Sequence, residues 1–186
     1  LVEAPGSQTF EMPDIPAIAR AAHTRDILVL DDNTWATPLF HRSLAQGVDI
    51  SIQAATKYIG GHSDIMFGTI SANEKAWPLV ADGIRQLGVC AGPDDVFLAL
   101  RGLRTLAVRL AHHQRAGLEM ARWLAARPEV TDVLHPGLET SQGHAIWKRD
   151  FTGASGLFSI VLQNAPQKAV DALLDTVQLF GMGYSW

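Results

Sequence analysis

Apolar and polar positions follow two periods along this chain. Residues 27–30, Ile-Leu-Val-Leu, are an unbroken apolar run that ends in Asp31-Asp32. So short a run, closed by turn-forming residues, predicts a parallel strand buried on both faces. At 50–53 the pattern alternates, Ile50 and Ile52 against Ser51 and Gln53, and predicts a second strand. That strand narrows to Ala54-Ala55 and passes through Thr56-Lys57 into a turn on Gly60-Gly61. A third strand is expected over 66–72. Helical spacing covers 13–22, with proline in the first turn and Ile15, Ile18 and Ala22 on one face, and then 74–87. A short helix is expected from Thr37 to near Gly47. The longest helical pattern, 94–127, repeats Leu98, Leu103, Leu106, Leu110, Leu118 and Leu124, with weak breaks at Gly102 and Gly117. Strands are expected at 130–135 and 155–162, a loop over 136–143, a helix over 166–176 and a final strand near 177–180. Residues 1–7 read as a strand end and a loop.

Composition narrows the class. With 47% hydrophobic and only 18% charged residues, the chain predicts a filled globular core. Its 186 residues suit one large domain or two small ones. A net charge of −4 recommends neither nucleic acid nor an anionic membrane as partner. No apolar run approaches spanning length and no secretory leader is visible, so no membrane association is expected. Cys90, the one cysteine, can form no disulfide within the chain, which agrees with a reducing cytoplasm. The seven histidines show no zinc spacing, and no metal is expected. Gly60-Gly61-His62-Ser63 lacks the Gly-Lys-Ser/Thr ending of a phosphate P-loop. His62 is expected to make a structural hydrogen bond, Tyr58 to pack, and Arg101 and Arg104 to form salt bridges at a surface.

Lys57 and the two acids change the picture. A lysine that follows two alanines at the end of a buried strand either reaches out to water or works as a neutral amine. Acids at the carboxyl end of a neighbouring parallel strand lie where open α/β sheets bind ligands. A pyridoxal phosphate site needs both groups: a lysine that condenses with the cofactor's aldehyde, and an acid that keeps the pyridine nitrogen protonated. Asp32 precedes Lys57 by 25 residues, so consecutive strands could bring the pair onto one ring. Asp31 should point the other way, because side chains alternate along a strand.

These residues carry a resemblance. The stretches Asp32-Asn33-Thr34-Trp35-Ala36, Ser51 through Tyr58, Gly61-His62-Ser63-Asp64, Arg101 through Leu106, 144–159 and Tyr184-Ser185-Trp186 resemble the Cys/Met-metabolism family of pyridoxal-phosphate enzymes, and within it the bacterial cystathionine β-lyases. The resemblance implies an α/β fold of the aspartate-aminotransferase-like type (fold type I). Residues 1–112 would be part of the large cofactor domain, with its mostly parallel sheet. Residues 113–186 would begin the smaller α+β carboxyl-terminal domain. It implies Lys57 as the lysine that binds the cofactor and takes the substrate Cα proton, Asp32 as partner of the pyridinium nitrogen, and Thr56 as a phosphate ligand. Ser7 stands where relatives often carry a cofactor-contacting asparagine, and Ala54 where many carry a serine. Ser185 and Trp186 would meet the substrate carboxylate. The implied reaction is α,β-elimination of cystathionine to homocysteine, pyruvate and ammonia, in a homodimer or homotetramer. The alternatives are a γ-lyase or γ-synthase of the same family, separated by Trp35, Gln53-Ala54-Ala55 and Tyr184-Ser185-Trp186, or an inactive remnant that at most helps oligomers form. The family's upstream phosphate loop and stacking aromatic, and its downstream carboxylate-binding arginine, have no counterpart here. The expectation is therefore a fragment lacking both ends and inactive alone.

Overall fold

The computed structural model describes residues 1–183. One sheet carries four strands in the order β1 (Val2–Glu3), β2 (Leu30–Asp32), β3 (Ile50–Ala54) and β4 (Gly68–Ala72). The first three run parallel and β4 runs antiparallel to β3. The crossover from β1 to β2 contains α1 (Ile15–His23), whose start is fixed by Asp14 accepting a hydrogen bond from the Ala17 N–H at 3.0 Å. Asp49, buried at the entry to β3, accepts from Val29 N–H at 2.8 Å, Asn73 Nδ2 at 2.8 Å and His23 Nε2 at 2.9 Å. One carboxylate thus aligns the entry side of the sheet with the end of α1. The mixed, mostly parallel sheet with its covering helices is the α/β architecture expected.

Helices α2 (Thr37–Phe40), α3 (Trp77–Leu87), α4 (Pro93–Leu103) and α5 (Leu106–Ala125) follow, then β5 (Val130–Leu134), α6 (His144–Asp150), β6 (Ser159–Leu162) and α7 (Gln167–Thr176). β5 and β6 pair antiparallel in a sheet of their own. No helix among the described residues is long and apolar enough to cross a membrane.

Several expectations give way. The apolar run 27–30 enters the ladder only at Leu30, so Asp31 and Asp32 lie within β2 rather than beyond it. The helix from Thr37 stops at Phe40, because His41 turns extended, and residues 43–46 form a separate 3-10 turn. The long helical pattern breaks at Arg104-Thr105, just past Gly102, but not at Gly117, which lies inside α5. There a side chain would come within 3.0 Å of Gly156 Cα, so this glycine permits close packing rather than ending a helix. The expected domain boundary, between residues 112 and 113, lies on α5, so this helix would join the two expected parts. Residues 155–158 stay outside β6. Residues 177–180 form no strand: Leu179 and Phe180 are 94% and 68% exposed, with no neighbouring strand to pair with among the described residues. Helix α6 had no expectation attached to it.

Two apolar clusters flank the sheet. One gathers Phe10, Met12, Ile15, Val29, Trp35 and Val48 with Phe151 and Ala154. Trp35 lies at its centre, its ring edge-on to Phe151 and His135, with Nε1 donating to Leu157 O at 2.9 Å. The other joins Ala55, Ile59 and Ile65 to Ala99 of α4 and Leu106 and Leu110 of α5. In this second cluster Gly102 brings α4 onto the turn after β3: a Cβ there would overlap the carbonyl oxygens of Ile59 and Gly60. Gly102→Ala is therefore expected to destabilise by about 1–3 kcal/mol despite the better helix former. Gly83→Ala, in α3 with no atom within 4 Å of the new methyl, is expected to stabilise by about 0.5–1 kcal/mol. Urea midpoints of the two variants check the opposite signs.

Candidate active site

Three parallel strands deliver the candidate residues to one edge. Register pairs Glu3 with Asp32 and Asp32 with Ile52, so the carboxyl ends of β1, β2 and β3 lie side by side. Ser7 follows β1, Asp32 ends β2, and Thr56 and Lys57 follow β3, at the edge where such sheets bind ligands. Alternation puts Asp31 on the opposite face from Asp32, beside Ser51.

The acid and the lysine are joined through the backbone. Asp32 Oδ1 accepts from the Thr34 N–H at 3.0 Å and from the Thr34 hydroxyl at 2.5 Å, and that hydroxyl accepts from the Ala54 N–H at 2.8 Å. Ala54 O in turn accepts from the Lys57 N–H at 2.9 Å. Thr34 thus fixes the Asp32 side chain to the strand that carries Lys57. Its signal in the sequence was local: a threonine two residues after an aspartate is a common turn in which side chain bonds backbone. Asp32 Oδ2 takes no hydrogen bond among the described residues, which leaves it able to accept one from a protonated pyridine nitrogen. This donor set fits pyridoxal phosphate: an oriented carboxylate at one strand end and a lysine at the next.

Lys57 opens on a cleft of about 710 Å³ lined also by Thr56, Tyr58, Gly61, Ser63, Asp64 and Arg109. Asp32 and Ser7 are not in its lining. Thr56 Oγ1 accepts from the Phe67 N–H at 2.9 Å and donates to Phe67 O at 3.2 Å, so its hydroxyl ties the turn to the start of β4. Exposed Ser7 donates to Glu3 Oε2 at 2.7 Å, on the strand that pairs with β2. Ser185 and Trp186, with Tyr184, lie outside the described residues. Trp35 is a core side chain, 3% exposed.

The remaining polar residues behave as supports. Tyr58 packs in the second cluster beside His113, with ring centroids 5.5 Å apart, and burial raises its phenol above the usual range against the pull of Ser155. His62 Nδ1 bonds Gly60 O at 2.7 Å. Arg101 pairs with Asp64 at 3.3 Å on the surface. Arg109 left no mark in the sequence, because three of its four acceptors are backbone carbonyls, two of them about 50 residues away: Nη1 donates to Tyr58 O at 2.7 Å and Nη2 to Ile59 O at 3.3 Å. No group of three or more His, Cys, Asp or Glu side chains among the described residues could hold a metal.

Comparison with known proteins gives the family. The family model for Cys/Met metabolism PLP-dependent enzymes matches residues 1–186. The cystathionine β-lyase of Salmonella typhimurium is 47% identical over 188 residues, covering 100% of this chain and 48% of that protein. The cystathionine β-lyase of Escherichia coli is 45% identical with the same coverage. A crystal structure of cystathionine γ-synthase from Xanthomonas oryzae pv. oryzae in complex with cystathionine superposes with a TM-score of 0.94 at 33% identity, over 99% of this chain and 48% of that one. The chain spans about half the length of the curated relatives it matches. With the family model matched from end to end, the chain belongs to the Cys/Met-metabolism family of pyridoxal-phosphate-dependent enzymes.

Proposed function

We propose that this chain supplies the lysine and the ring-binding acid of a carbon–sulfur lyase that cleaves cystathionine by α,β-elimination. The observation that carries the reading is the Asp32–Thr34–Ala54–Lys57 connection across adjacent parallel strands. Bound there, pyridoxal phosphate supplies an electron-withdrawing ring that accepts the electron pair left at Cα. Lys57 holds the cofactor and then, as a free amine, removes the Cα proton. Asp32 Oδ2 accepts the hydrogen bond of the ring nitrogen, and its negative charge keeps that nitrogen protonated. Thr56 is assigned to the phosphate, with its 3.2 Å bond to Phe67 O as the one it would give up. Ser7 is assigned to the same edge in a lesser role. Ser185 and Trp186 are assigned to the substrate carboxylate on the resemblance alone. Breaking Cβ–S releases homocysteine, and hydrolysis of the remainder gives pyruvate and ammonia. Self-association is part of the proposal: α3, α4 and α5 expose Leu79, Leu87, Phe97, Leu100 and Val108.

The likeness to a γ-synthase favours a second reading, in which the same acid and lysine serve γ-chemistry. The keto acid separates the two, because β-elimination of cystathionine yields pyruvate and γ-elimination yields 2-oxobutyrate. The lysine assignment is tested by borohydride reduction with pyridoxal phosphate and peptide mapping. Phosphopyridoxyl label is expected on Lys57. Label on Lys75, Lys148 or Lys168 instead would refute the assignment.

A further inference from the structure

Arg109, outside the turn that carries Lys57, reaches that turn's carbonyls with its side chain. Within the turn, the Gly60 N–H donates to Ala55 O and the Gly61 N–H to Lys57 O, both at 2.7 Å. Facing it, Arg109 of α5 donates from Nη1 to Tyr58 O at 2.7 Å, and from Nη2 to Gly102 O at 2.8 Å and Ile59 O at 3.3 Å, while Nε donates to Thr105 Oγ1 at 3.0 Å. The break between α4 and α5 supplies two of these acceptors, since it leaves the Gly102 carbonyl and the Thr105 hydroxyl turned toward α5. Two glycines make room for the arrangement. Gly61 has φ +76°, and a Cβ there would overlap the Arg109 guanidinium. Gly102 admits the carbonyls of Ile59 and Gly60 against the helix backbone. Arg109 also lines the cleft that Lys57 opens on.

We propose that Arg109 is a positioning residue for Lys57: its planar fork fixes the carbonyls after Lys57 to the α4–α5 break and so sets the direction in which the lysine amine is presented. The proposal rests on Lys57 being the cofactor lysine. A lysine at 109 would keep the charge, but a single ammonium cannot span carbonyls on two elements as the rigid fork does.

Amide hydrogen exchange on the chain without cofactor tests the clamp, and borohydride trapping with pyridoxal phosphate tests its effect on Lys57. In Arg109→Met, exchange at Gly60 and Gly61 is expected to rise about tenfold or more, as for the loss of a hydrogen bond to a charged group, while β2 and β3 amides keep their rates. Arg109→Lys is expected to behave within about twofold of Arg109→Met, because the fork and not the charge does the holding. Label at Lys57 is expected to accumulate about tenfold more slowly in both variants. Arg85→Met, which removes an exposed pair with Asp82, is the control and should change neither readout. Unchanged exchange at Gly60 and Gly61, faster exchange everywhere alike, full protection in Arg109→Lys, or an unaltered labelling rate would each overturn the proposal. If the unsubstituted chain takes no label at Lys57, the cofactor reading fails by itself, and the exchange result still decides whether Arg109 holds the turn.

Discussion

Asp32→Asn is expected to cut turnover of an active enzyme carrying this chain by about 10–100-fold, whereas Asp31→Asn leaves turnover within about twofold. The two acids are sequence neighbours on opposite faces of β2, and only Asp32 is tied through Thr34 to the strand of Lys57. Asparagine at 32 keeps the shape and can keep the Thr34 contacts. It loses the negative charge that holds a pyridine nitrogen protonated, a charge-assisted bond of about 1.5–3 kcal/mol. Since about 1.4 kcal/mol is a factor of ten in rate, the range of loss follows. Initial rates of keto-acid release from cystathionine, with cofactor occupancy checked by absorbance, make the comparison. Equal losses in the two variants would mean that Asp32 is not the ring partner.

Asp31 has a large expected effect of another kind. It is fully buried, and burial pushes its carboxyl up to about 7, opposed by the Ser43 hydroxyl and reinforced by the charges of Asp32 and Glu3. His41 Nδ1 lies 3.7 Å from Asp31 Oδ2, beyond hydrogen-bonding distance, and burial lowers the pKa of that imidazole, so no full positive charge stands beside the acid. The folded chain therefore binds this proton more tightly than the unfolded chain, whose aspartate titrates near 3.8. Stability falls as pH rises between those values, and the full penalty applies above about 7. Three pKa units correspond to about 4 kcal/mol. Asp31→Asn abolishes the titration, so the variant is expected to melt roughly 5–15 °C higher at pH 8 and about level with the parent near pH 4. His41 works with the opposite sign below its ordinary range, but it is present in both proteins, so the difference between the two melting profiles isolates Asp31. A variant whose advantage does not grow with pH would show that Asp31 is ionised at no cost.

The sheet edge was legible in the sequence because its signals are local. An apolar run closed by acids, an alternating run closed by small residues and a glycine turn each declare themselves within a few positions. The parallel register sets Asp32 beside Ile52, on the strand that leads to Lys57. What the sequence concealed depends on contacts between distant segments. Gly102 and Gly117 look alike as interruptions of a leucine-rich helix. One adjoins a real break and the other is the floor of a helix-to-loop contact with Gly156, a difference settled by residues far away in the chain. Arg109 looked like any helix arginine because carbonyl acceptors leave no trace in side-chain identity. Leu179 and Phe180 suggested a strand by their apolar character, but a strand also needs a partner edge, and composition cannot supply one.

The bond from Trp35 to Leu157 spans 122 positions. A ribosome adding about 5–20 residues per second needs roughly 6–24 s to travel that far. For that interval the indole, among the largest apolar groups of the amino-terminal half, has neither its carbonyl acceptor nor the Phe151 and Ala154 surface that later surrounds it. The β1–β2–β3 edge can pair as soon as residue 54 emerges, yet the cluster behind it stays open until the chain has passed through α4, α5 and β5. The nascent protein thus carries a sheet edge able to pair on an unfinished core, and it is in this interval, before residue 157 appears, that chaperones and proteases have their best access to it.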